Sequence, residues 1–166
     1  MNPEKPRLEL MRRTMRNLEF IEQHRDLQKG PYEVTQLVNS FLGALAHPWE
    51  DLRDDLKTWS LDEARARGWP FPHDQSGENP RTLGRLLGLV RNAFAHGNVA
   101  FHGPKDGEIE TVVIWNKEPR SGEETWRGTF NVHDLRQFLA CFVQLAEQLQ
   151  TRDSLPETRR HGAAVS

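Results

Sequence analysis

Near the middle of the chain, "LVRNAFAHGNV" (89–99) puts an arginine, an asparagine and a histidine at the end of an apolar run, just before a glycine. Arg91 and Asn92 are adjacent, and His96 follows four residues after Asn92. Histidine titrates near neutrality and can take or give a proton during a reaction. Arginine can hold a phosphate and stabilise the charge that builds on it in a transition state. These two residue types suffice for metal-independent RNA cleavage, because the 2′-OH of the RNA is itself the nucleophile. The same residues have a purely structural reading: a histidine that caps helix carbonyls and an arginine stripe on a solvated face.

A helix over about 80–96 must position them, with Gly97 as its C-terminal cap. At about 100° per residue its faces separate. Leu83, Leu87, Val90 and Phe94 form the core side; Gly84, Gly88, Arg91 and Ala95 a second side; Arg81, Arg85, Asn92 and His96 a third stripe. Asn92 and His96 are neighbours on that stripe. His96 falls in the last turn, where the helix dipole favours the imidazolium. Glycine inside a helix costs about 1 kcal/mol relative to alanine. Two on one face imply that another backbone comes close. That partner is either a helix of the same chain or the same helix of a second subunit about a two-fold axis. The second arrangement makes Gly84, Gly88 and Ala95 a dimer interface and brings two copies of Arg91 and His96 into one cleft. Arg85 and Arg81 would then contact the substrate backbone.

The flanking elements follow from apolar spacing. Helices are expected over 6–28, 32–46 and 132–151, with one or two shorter ones over 50–67, the second capped by Ser60 and Glu63. Strands are expected at 98–103, 108–116 and 125–131, the first two joined by the turn "PKDG". The stretch 67–80 reads as a long Pro/Gly loop, and 152–166 as a disordered tail. The fold class is therefore mostly α: one domain over 1–151, an antiparallel helical bundle with a small antiparallel sheet of about three strands inserted before the last helix. Trp115 and Trp126 on those strands are expected to pack onto the bundle, the other use of such residues being to stack nucleobases.

Composition narrows the chemistry. The chain has 166 residues and a net charge of −2, so no global field draws in a polyanion. Of its 22 basic residues 17 are arginines, which suit bidentate phosphate contacts, so a local cluster would have to hold an RNA. Cys141 is the one cysteine, which excludes an intramolecular disulfide and a cysteine metal cage; a buried, inert thiol is expected. The seven histidines are scattered with no H-E-x-x-H pair, and no metal site is expected. No phosphate-binding glycine loop and no G-x-S-x-G elbow occurs, and no cofactor is expected. No apolar run approaches the roughly 20 residues that span a bilayer. The charged N-terminus lacks a signal-peptide core, so a cytoplasmic protein without membrane contact is expected.

The segment "RNAFAHGNV", followed by strands and "IWN", resembles the HEPN superfamily (higher eukaryotes and prokaryotes nucleotide-binding domains). With "MNPEKPRLELMRRTMRNLEFIE" and "GPYEVTQLVNSFLGALAHPWE", it is most similar to a plasmid-associated bacterial HEPN family, over nearly the whole chain. The resemblance implies a homodimeric, metal-independent endoribonuclease acting as a toxin or in defence against phage and plasmids. Arg91 and His96 would be the catalytic pair with Asn92 in support, RNA the substrate, and an antitoxin or regulatory protein a partner. The alternative is a non-catalytic dimer of the same type that binds RNA, a nucleotide or a protein through the same cleft.

Overall fold

Apolar residues three and four apart, Met11, Met15 and Leu18, turn one face of α1 (Pro6–Gln23) inward; Val34, Leu37 and Val38 do the same for α2 (Glu33–Ala46). The computed structural model describes residues 6–24, 33–46, 52, 55–104 and 109–153. The expected helix stop at 29–31, the start of the helical stretch at 50, most of the turn at 104–107 and the expected tail fall largely or wholly outside these residues. Helix α3 (Leu61–Ala66) begins with the expected capping box: the Glu63 amide donates to Ser60 Oγ at 3.2 Å and the Ser60 amide to the Glu63 carboxylate at 2.9 Å. The last helix, α5 (Val132–Asp153), buries Leu135, Phe138, Leu139, Phe142, Leu145 and Leu149. It is tied to α1 by Arg12–Glu147 at 2.7 Å and by Arg136–Glu22.

The central helix, α4 (Leu83–Ala95), has nine of its 13 residues buried, more than a one-sided amphipathic helix would show. The extra cover comes from a sheet. Strands β2 (Val99–His102), β3 (Thr111–Lys117) and β4 (Glu124–Asn131) form where the sequence places them. Alternation along β3 and β4 turns Val112, Ile114, Asn116, Trp126 and Phe130 onto the helices. Trp115 lies on the opposite face, so the two tryptophans part company: Trp126 is core and Trp115 is only partly buried.

The expectation of about three strands is corrected by a fourth. Within the stretch read as a loop, β1 (His73–Gly77) pairs antiparallel with β4, giving the order β1-β4-β3-β2. The sheet is thus not wholly an insertion before α5, and the fold combines a helical bundle with a four-stranded antiparallel sheet. Every β1 side chain is exposed, so the strand has no apolar alternation to betray it and is held through its backbone. Gly77 makes the pairing possible: its φ is +80°, and a Cβ there would lie 2.3 Å from the Thr125 carbonyl oxygen.

Among the described residues, no helix is long and apolar enough to cross a membrane.

Candidate active site

Both ends of α4 are locally anchored. At its start Thr82 Oγ1 accepts from the Arg85 amide at 3.2 Å, and the Leu83 amide donates to the Trp59 carbonyl at 2.9 Å. At its end the Asn98 amide donates to Ala93 O at 2.9 Å and the Gly97 amide to Phe94 O at 3.1 Å, with Gly97 at φ +66°. These two bonds and the left-handed glycine make a Schellman termination with His96 in the C-cap position. The imidazole of His96 therefore stands on a backbone fixed by the hydrogen bonds on either side of it, while the residue is exposed. Apart from its own chain neighbours, no described residue comes within 4 Å of a Cβ built on Gly97, so alanine there would carry the cost of the left-handed conformation. Gly97→Ala is expected to lower stability by about 1 kcal/mol, and Gly97→Asn by less, in urea unfolding.

Arg91 and Asn92 occupy the turn before. Arg91 Nη1 donates to Asn92 Oδ1 at 3.1 Å, and the Asn92 carbonyl accepts from the His96 amide at 3.0 Å. Asn92 thus touches both partners, one by its side chain and one by its backbone. Arg91 is partly buried, and its Nε is a buried donor with no hydrogen-bond acceptor among the described residues. Arg91 and His96 are five residues apart, about 140° around a helix, and no hydrogen bond joins them directly.

The remaining expected site residues separate. Arg81 is exposed. Arg85 is committed to a two-pronged ion pair with Glu78, just beyond β1. The hydrogen bond from Arg85 holds the Glu78 carboxyl below the usual carboxylate range, and the same bond raises the Arg85 pKa. The close backbone approach read from Gly84 is made inside the chain: a Cβ there would lie 2.9 Å from the Leu56 carbonyl carbon and oxygen. The backbone at Leu56 and Lys57 thus lies directly against α4 at that point, and Leu52 and Leu56 are both buried. Gly88 is also buried, whereas Ala95 is exposed beside His96. Cys141 is partly buried, and burial pushes its thiol pKa up, away from a reactive thiolate.

Two contributors had no role assigned from sequence. Glu78 sits in a polar loop with nothing to mark it. Asn116 left a faint signal, a polar residue at an inward position of an alternating strand. Its Nδ2 donates to the Leu89 carbonyl at 2.9 Å in a buried contact, buttoning β3 to α4 one turn before Asn92.

Comparison with known proteins adds one finding. A family model described as HEPN pEK499 p136 matches residues 1–152. No curated protein and no solved structure gives a significant match.

Proposed function

The chain belongs to the HEPN pEK499 p136 family, and from that premise we propose that it is a metal-independent endoribonuclease acting as a homodimer. The observation that carries this reading is Arg91: a partly buried guanidinium with one donor lacking an acceptor, linked through Asn92 to a solvent-exposed histidine at a rigid helix end. A buried donor without a partner costs about 1–3 kcal/mol, a cost that an incoming phosphate oxygen would offset.

In the proposed mechanism His96 moves a proton, either from the attacking 2′-OH or to the leaving 5′-oxygen. The 2′-oxygen attacks the adjacent phosphorus, the bond to the 5′-oxygen breaks, and the products are a 2′,3′-cyclic phosphate and a 5′-OH end. Arg91 stabilises the charge on the pentacoordinate phosphorus. Asn92 orients Arg91. The 140° between Arg91 and His96 suits a site completed by two copies, with Ala95 and His96 on the surface at the two-fold contact. Arg81 is available to contact the RNA backbone; Arg85 would have to leave Glu78 first. In this reading the enzyme works in the cytoplasm as a toxin or in defence against phage or plasmids, restrained by an antitoxin or regulatory protein.

The Glu78–Arg85 pair and the net charge of −2 favour a second reading, a non-catalytic dimer that binds RNA, a nucleotide or a protein through the same cleft. One assay separates them. Purified protein is incubated with labelled single-stranded and hairpin RNAs in EDTA, and product ends are analysed. Cleavage with cyclic phosphate ends that disappears in His96→Ala is expected; binding without turnover would leave the second reading.

A further inference from the structure

The outer face of the sheet holds a side chain the proposed chemistry does not use. Trp115 points away from the core, and its amide donates to the Asn98 carbonyl at 3.2 Å, two residues past His96. It therefore lies at the end of the sheet where the candidate active site emerges. Arg127, its partner in the β3–β4 register, holds its guanidinium carbon 5.4 Å from the indole centroid. That guanidinium is itself gripped by Glu124, through Nε at 2.8 Å and Nη2 at 2.6 Å. The grip fixes the plane of the guanidinium and neutralises its charge. A neutralised, oriented guanidinium is a poor phosphate clamp and a good stacking surface. The outward neighbours across the strands include the small residues Ala100, Val113, Thr129 and Ser76, with Lys117 next along β3 and His73 opposite Thr129.

We propose that Trp115 and Arg127 form a stacking subsite for one nucleobase of single-stranded RNA, next to the nucleotide whose phosphate meets Arg91 and His96. The inference rests on the nuclease reading and deepens it by giving the strand a direction of travel, from the end of α4 onto the open face of the sheet. A purine, with the larger ring, is held better than a pyrimidine. Base–aromatic stacking of about 1–3 kcal/mol corresponds to roughly 5- to 150-fold in affinity.

The probe is a short 2′-O-methyl oligoadenylate, which lacks the nucleophile and survives intact. The protein carries 5-fluorotryptophan at its five tryptophans, and Trp115→Phe assigns the Trp115 resonance. Titration is expected to shift that resonance, and Trp115→Ala to weaken binding at least 5-fold with Trp115→Phe in between, the thermal melt being unchanged. Oligonucleotide binding, or cleavage of RNA, that leaves the Trp115 resonance and the Trp115→Ala affinity unmoved overturns the subsite and leaves the nuclease reading intact. Folded wild-type protein that neither binds the oligoadenylate nor cleaves RNA overturns both.

Discussion

Arg91→Met is expected to lower RNA cleavage by about 10³-fold without lowering the thermal midpoint. Removing one preorganised donor from a developing oxyanion typically costs about 10²–10³ in rate, and in the proposed mechanism the group lost also carries the charge that attracts the phosphate. Methionine keeps the apolar stem of the side chain and removes a buried Nε that has no acceptor. Replacing an unsatisfied polar group by an apolar one of similar shape is neutral or stabilising. Among the described residues the bond forfeited is that from Nη1 to Asn92, and Asn92 is partly exposed, so water can replace it. Arg91→Lys should be almost as inactive, because an ammonium cannot present two parallel donors to a phosphate. Single-turnover cleavage rates beside melting curves test this: a loss of activity with stability kept is the mark of a residue retained for chemistry. A variant that melts well below wild type would instead make Arg91 a structural residue.

Asn116→Asp is expected to have the largest effect on stability, about 3 kcal/mol at neutral pH. The amide of Asn116 donates to Leu89 O in a buried contact, and an ionised aspartate would set a carboxylate against that carbonyl. The protonated acid can still donate, so the folded state raises the pKa of the new group above its unfolded value of about 3.9. Its stabilising contribution is therefore complete below the unfolded pKa and is lost as pH rises through the folded one. Urea unfolding should show the variant recovering toward wild type in acid, the reverse of ordinary acid denaturation. A deficit that does not depend on pH would mean the hydrogen bond is not the cause.

Much of α4 could be read from spacing. Leu83, Leu87, Val90 and Phe94 are all in the core, and Gly97 ends the helix as expected. The capping box at Ser60 and Glu63 is equally local, since its donors and acceptors lie within one turn. Strand β1 escaped because its information is in backbone pairing with β4, some fifty residues later, and in a glycine that meets Thr125. Gly84 announced a close approach but not the identity of what approaches; Leu56 is brought there by tertiary packing. At the site, residue types and spacing pointed to Arg91, Asn92 and His96. The stripe alone could not tell that Arg85 is taken by Glu78, an interaction between a loop and a helix that no periodicity encodes.

The strand order carries a consequence for how the molecule comes into being. Strands β1 and β2 lie at opposite edges of the sheet and directly precede and follow α4; the two strands between them, β3 and β4, come later in the chain. A ribosome that has reached Pro104 has therefore made every residue of the motif and neither of the strands that join the two edges. Bringing the edges together waits for β4, and with it the loop-closure cost of a long-range pairing is met in one late step. The helix that carries Arg91 and His96 therefore gains its full sheet cover only after synthesis has passed Asn131.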